Sequence, residues 1–250
     1  MQNPRWICPL TRRSSSIGGM QCFRLSHAGV VLELDGASLF VDPGSFSSGA
    51  ELNTAIEAAA PIAGIVITHE HADHWIPENL VALRATAPDA PVFTTQATAD
   101  ALAAAGIHKV TVVHEGDTHQ AGPFALDFYG HRHEVLHASI PVIDNVGVRV
   151  NGAFAYGGDD LTRPPFIADV LGVPIGSPWS NIAQVMDFVL TAAPRRAYLT
   201  HDGMLSAQGL GLFTARVQWC LEQVGGELIT LPRLDGDESA RCDLGVPSAS

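Results

Sequence analysis

Apolar positions along the chain first come as short β-branched runs separated by turn formers: Gln21 to Leu25, Gly29 to Leu34 and Ala37 to Val41, the last closed by Asp42-Pro43-Gly44. Runs of this length predict an antiparallel meander. The rhythm then changes to strand followed by helix. Ile62 to Thr68 is a continuous buried strand, Pro77 to Ala85 a helix, Pro91 to Thr94 a strand, and Ala97 to Ala105 an alanine-rich helix stopped by Gly106. Lys109 to Val113 and Phe124 to Tyr129 read as further strands. Val146 to Val150 and Ala153 to Tyr156 form a hairpin, because Asn151-Gly152 suits a type I′ turn. The last third alternates again, with Ile182 to Thr191 and Leu210 to Val224 helical and Arg195 to Thr200 and Glu227 to Leu231 as strands. Two β-rich blocks flanked by amphipathic helices bury both sheet faces most economically as a four-layer αββα sandwich of two mixed sheets. The expected domain spans 20–232, with a loose N-terminal tail at 1–19 and a C-terminal tail at 233–250.

Composition narrows the partners. At 250 residues, with 46% hydrophobic and 16% charged residues, the chain suits one globular core. A net charge of -12 repels phosphate backbones and no basic run offsets it, which argues against long nucleic acid. Apolar stretches such as Ile62 to Ile67 fall far short of the roughly 20 residues of a membrane span. The basic, Ser/Gly-rich start holds no apolar core of secretory length, and Met20 offers a more natural start to the fold. Cys8, Cys22, Cys220 and Cys242 are scattered without a C-x-x-C pair, which fits a reducing cytoplasm better than a disulfide framework or zinc ribbon. A small molecule is the expected partner, and homo-oligomers stay open.

Candidate chemistry concentrates where the strand Ile62 to Thr68 ends. His69-Glu70-His71-Ala72-Asp73-His74 places several imidazoles and a carboxylate at a strand end, where alternate side chains converge; such donors suit zinc or a similar divalent ion. The zincin motif H-E-x-x-H would need histidine at position 73, where the chain has Asp73. The rival reading is a solvated His-rich turn. Further on, the segment from Gly130 to His137 offers His131, His133 and His137, each on its own more often a surface or hydrogen-bonded histidine. Tyr156-Gly157-Gly158-Asp159-Asp160 is an ordinary turn in isolation, whereas His201 follows a buried strand just as His69 does. Asp42 and His27 are either supports for a metal-bound imidazole or local turn residues. Asp202 either holds His201 or caps the next helix, and Trp75 and Trp179 either line a pocket mouth or belong to the core.

Thr68 to His74 resembles the H-x-H-x-D-H signature of the metallo-β-lactamase superfamily, and the order of elements over about residues 20–232 is similar to that superfamily. Ser26-His27-Ala28, Val41-Asp42-Pro43-Gly44, Pro178-Trp179 and Thr200-His201-Asp202 resemble its branch containing ascorbate-6-phosphate lactonase. The resemblance implies two divalent metal ions, zinc foremost, with manganese or iron as alternatives. It assigns one to His69, His71 and a third histidine, His133 by position, with His137 and then His131 behind it. Asp73, His74 and His201 take the second ion and Asp159 bridges, with Asp160 as its fallback. The implied activity is hydrolysis of a small, anionic lactone, ester or phosphodiester by a metal-bound hydroxide that Asp73 orients or deprotonates. A nuclease or phosphodiesterase of the RNA-processing type would need a basic patch. A non-catalytic metal-binding protein would show missing ligands. A redox di-iron variant also shares the superfamily, although the chain carries no appended flavin-binding domain.

Overall fold

The computed structural model describes residues 19–234, 237 and 239–247. Strands β1 (Gly19–Arg24), β2 (Val30–Leu34) and β3 (Ala37–Val41) form the expected antiparallel meander. Helix α1 (Gly49–Ala58) follows, then β4 (Ile62–Val66), α2 (Pro77–Thr86), β5 (Val92–Thr94), α3 (Gln96–Ala104) and β6 (Val110–Val112), with β4 to β6 added in parallel. The second sheet holds β7 (Thr118–Ala121), β8 (Phe124–Tyr129), β9 (Gly147–Val150), β10 (Phe154–Tyr156) and β11 (Val170–Pro174). After α4 (Ile182–Ala192) it gains β12 (Arg196–Thr200), and after α5 (Ala207–Val224) it gains β13 (Glu227–Leu228). β14 (Cys242–Pro247) returns to the first sheet beside β1, giving the orders β14-β1-β2-β3-β4-β5-β6 and β13-β12-β11-β10-β9-β8-β7.

Strand alternation makes the layers. In β2, Leu32 enters the core between the sheets with Phe93, Leu126 and Phe154, while the adjacent Val31 turns outward beneath Leu52 and Leu83 of α1 and α2. In β12, Tyr198 faces the inter-sheet core and Ala197 packs under α4 and α5 with Val185 and Val217. The result is the expected αββα sandwich. Asn151 and Gly152 both take positive φ, 48° and 68°, as a type I′ hairpin turn requires.

Four elements depart from expectation: α1, β7, β11 and β14. The segment expected as a C-terminal tail is partly built into the domain, because β14 pairs antiparallel with β1 and the buried Arg241 binds Glu33 through Nε at 2.5 Å and the Ala58 carbonyl at 2.9 Å. The expected N-terminal tail lies outside the described residues except for Gly19, which opens β1; Met20 is a fully buried residue of that strand.

Candidate metal centre

The ends of β4, β8, β10 and β12 each lead into a loop that carries donor residues. Beyond β4 the chain stays pinned through Ile67 N to Phe93 O at 3.0 Å, then turns with His74 N on His71 O at 3.0 Å. Asp42, at the end of β3, organises this turn. Its carboxylate accepts Thr68 N at 2.8 Å and Thr68 Oγ1 at 2.7 Å, and it holds His74 Nδ1 at 2.6 Å. Asp42, His27 and His201 all adopt positive φ, at 46°, 62° and 58°. Non-glycine residues rarely hold that conformation unless their surroundings impose it, and it concentrates at functional sites.

Seven side chains converge as two donor groups with Asp159 common to both: His69, His71, His133 and Asp159, and Asp73, His74, Asp159 and His201, each with its donor atoms within 4.8 Å of one another. In the first group His69 Nε2 and His71 Nδ1 are 3.1 Å apart, and His133 Nε2 is 3.2 Å from Asp159 Oδ2. In the second, His201 Nε2 lies 3.2 Å from both Asp73 Oδ2 and Asp159 Oδ2. The outward nitrogens are held by the protein: His69 Nδ1 by Thr68 Oγ1 at 3.0 Å, His133 Nδ1 donating to the Glu134 carbonyl at 2.7 Å, and His201 Nδ1 by Ser177 Oγ at 3.1 Å. An imidazole fixed at one nitrogen presents the other with a set direction, as metal-ligating histidines do.

His133 alone of the three loop histidines joins the cluster. His131 is exposed near Glu115, and His137 is exposed and bonded to Ser139 Oγ at 2.7 Å. Accordingly, His133→Ala is expected to reduce the metal bound per chain, whereas His131→Ala and His137→Ala leave it unchanged; elemental analysis of the three proteins checks this, and equal behaviour would contradict it. Asp160 turns away to accept Thr162 N at 2.7 Å.

His27 sits against the second group. Its Nδ1 accepts Gly203 N at 3.0 Å, so its Nε2 carries the proton and donates to Asp73 Oδ2 at 3.3 Å. Asp202 neither holds His201 nor caps α5: its carboxylate pairs with Arg24 at 2.5 Å, and Ser206 caps the helix. Trp75 packs in the outer core with its indole on the Glu70 carbonyl. Trp179 instead donates Nε1 to Asp159 Oδ2 at 2.9 Å. Three supporting residues lie beyond the sequence reading: Thr68, Ser177, and Asn145, whose side chain joins Asp159 N and the Gly157 carbonyl. Their types are common and their partners distant, so only the Ser177-Pro178-Trp179 run offered a signal.

Charge is strongly coupled within the cluster. Burial opposes ionisation of Asp159, yet His74 and His201 hold its carboxyl well below the usual range. Asp73 is likewise held low, by the close approach of His201 and then His27, acting against burial. The carboxylates in turn lift His201 to about 9, against its burial, and raise His74 well above its ordinary value. His69 and His71 move down, chiefly through burial and then through His74 and His133 respectively. The two acidic residues therefore demand nearby positive charge, while His69 and His71 are pushed toward the neutral form that offers lone pairs. Among the described residues, His74 Nε2, His201 Nε2 and Asp159 Oδ1 are buried with no hydrogen-bond partner; His74 Nε2 and Asp159 Oδ1 lie 3.1 Å apart without the alignment of such a bond. Orphaned atoms aimed at shared points fit divalent cations, and the all-nitrogen-and-oxygen donor set suits zinc, manganese or iron.

Residues 39–201 match the β-lactamase superfamily domain, and the chain belongs to that superfamily. It is similar to Protein Rv0786c of Mycobacterium tuberculosis, 30% identical over 203 residues that cover 79% of this chain and 91% of that protein. Among solved structures it is similar to Igni18, a metallo hydrolase of the archaeon Ignicoccus hospitalis, with a TM-score of 0.62 and 16% identity over 86% of this chain and 95% of that one. It also resembles CmlA, a diiron β-hydroxylase of Streptomyces venezuelae, with a TM-score of 0.61 and 15% identity over 88% of this chain and 54% of that one. At such identities the structural likeness is one of fold.

Proposed function

We propose that this protein is a binuclear metal-dependent hydrolase of a small substrate. One divalent ion is assigned to His69, His71 and His133, the second to Asp73, His74 and His201, with Asp159 between them. The observation that carries this reading is the pair of donor groups sharing one buried carboxylate, with three inward atoms left without partners. Bound divalent ions supply Lewis-acid polarisation of a carbonyl or phosphoryl oxygen and make water acidic near neutral pH. The protein's own residues do the rest. Asp73 is partly exposed, at 23% of its side chain, whereas Asp159 is buried, so Asp73 is the carboxylate placed to take a proton from attacking water. Trp179, Asn145 and Asp42 hold Asp159 and His74 in place.

Zinc is the proposed metal, and a lactone, ester or phosphodiester the proposed substrate. His27 on Asp73 and the Pro178-Trp179 run keep the ascorbate-6-phosphate lactonase-like branch as the preferred comparison. The net charge of -12 weighs against an RNA-processing nuclease, and two full donor groups weigh against a non-catalytic binder. Cytoplasmic location remains part of the proposal; among the described residues no helix is long and apolar enough to cross a membrane. A substrate screen of lactones, thioesters and phosphodiesters with metal-loaded protein tests the reading. Turnover is expected to disappear on chelation and return with metal; turnover that survives complete chelation contradicts it.

A further inference from the structure

Among the described residues, large apolar side chains left to solvent fall mainly on loops that leave the metal cluster. Val135, Leu136, Ile140 and Val142 lie in one excursion, and Phe46 and Met204 on the loops after β3 and β12; all six are 40–50% exposed. The excursion is rooted at the cluster itself, because His133 N bonds the Ile143 carbonyl at 2.9 Å and Glu134 N bonds the Asp159 carbonyl at 2.9 Å. Between these anchors, residues 135–142 read Val-Leu-His-Ala-Ser-Ile-Pro-Val, without an Asp, Glu, Lys or Arg. Of the acids that flank the segment, Glu134 is spent on Leu161 N at 3.1 Å, and Asp144 lies two residues beyond Val142. Surface loops are ordinarily polar, and grouped exposed aliphatics beside a reactive centre mark a binding surface.

The loops of Phe46 and Met204 are joined to the same centre. Phe46 stacks on His27 with ring centroids 4.1 Å apart, and His27 in turn touches Asp73. A Cβ on Gly203 would lie 2.7 Å from Phe46 Cδ1, so the backbone leading from His201 to Met204 passes directly against that ring. Polar donors at the centre and aliphatic walls on the loops around them call for a substrate of the same division.

Resting on the hydrolase reading, we propose that the substrate is a carboxylic ester or lactone bearing an aliphatic chain, with the chain against residues 135–142 and the scissile carbonyl at the metal cluster. Hydrolysis then balances simply. Water's oxygen bonds to the acyl carbon, the bond from that carbon to the leaving oxygen breaks, and one proton of the water passes through Asp73 to the leaving oxygen while the carboxylic acid product ionises into solvent.

The test pairs a binding series with a turnover series. Calorimetry of the metal-loaded protein with butanoate through decanoate is expected to show affinity rising about two- to fourfold per methylene, the range expected for partial to full burial of each group. Values of kcat/KM for p-nitrophenyl esters of the same lengths should rise in parallel. The double variant Leu136→Ser, Ile140→Ser should flatten both slopes, whereas Leu212→Ser on the remote helix α5 should leave them. Alkanoate binding that depends on length, without ester turnover, would retain the chain site and overturn the hydrolase reading. Turnover with flat slopes in both series would overturn the chain site alone, and no binding and no turnover would overturn both. A dimer in sedimentation that Leu136→Ser dissociates would assign the loop to self-contact and also overturn the proposal.

Discussion

Gly44→Ala is expected to give a protein that loses both its metal and much of its stability. A Cβ at this position would lie 1.8 Å from the Asp73 carbonyl oxygen, 2.1 Å from its carbon and 2.5 Å from His74 N. Each obstacle is backbone, so no side chain can swing aside. The turn carrying Asp73 and His74 must move by more than an ångström, against Ser45 N on Ala72 O at 2.8 Å and Asn79 Nδ2 on the Gly44 carbonyl at 3.0 Å. Overpacking of this kind costs about 3 kcal/mol or more, and the displaced donors would no longer meet Asp159. Thermal unfolding and elemental analysis check it. Gly211→Ala serves as the contrast, because that helical glycine has nothing within 4 Å of its added Cβ, and the change should stabilise by about 0.5–1 kcal/mol. A Gly44→Ala protein with normal melting and full metal would contradict the geometry of this turn.

Asp73→Asn separates chemistry from folding. The amide keeps the shape of the side chain but removes the negative charge that His27 and His201 approach at 3.3 and 3.2 Å. With the first donor group untouched, the variant should fold and bind one ion per chain. Its kcat should fall on the order of 10²–10⁴-fold, the range for loss of a positioned proton acceptor, and weaker binding of the second ion adds to the loss. Turnover and metal content measured on the same preparation decide it. Near-normal turnover would remove Asp73 from the mechanism, and a failure to fold would make its role structural.

The layered fold was legible because its strands and longer helices carry clear periods, from the meander at Gln21 to Val41 to the helix ending at Val224. Its gaps have physical causes. Helix α1 begins in a Ser-Ser-Gly run that imitates a loop, although Ser48 in fact caps it. β11 is buried at every position and includes Gly172 and Pro174, so it shows no alternation. β14 lies far along the chain and takes its place by pairing with β1 and burying Cys242 and Leu244 in the core between the sheets.

At the centre, the cluster from His69 to His74 stood out because its donors crowd one strand end. Asp159 looked like an ordinary turn residue that only the superfamily resemblance singled out, whereas His201 was marked by following a buried strand as His69 does. Asp42 on His74, Ser177 on His201 and Trp179 on Asp159 join residues 32, 24 and 20 positions apart. Such contacts exist only once β3 has paired with β4, β10 with β11 and β11 with β12, and the Asp202 expectation failed because Arg24, 178 positions away in the other sheet, takes its carboxylate.

Metal content per chain tests the central claim most directly. Protein purified without chelator, then dialysed against zinc, manganese or iron, is predicted to hold two divalent ions per chain, one for each donor group. A folded protein that binds none of these metals would contradict the account.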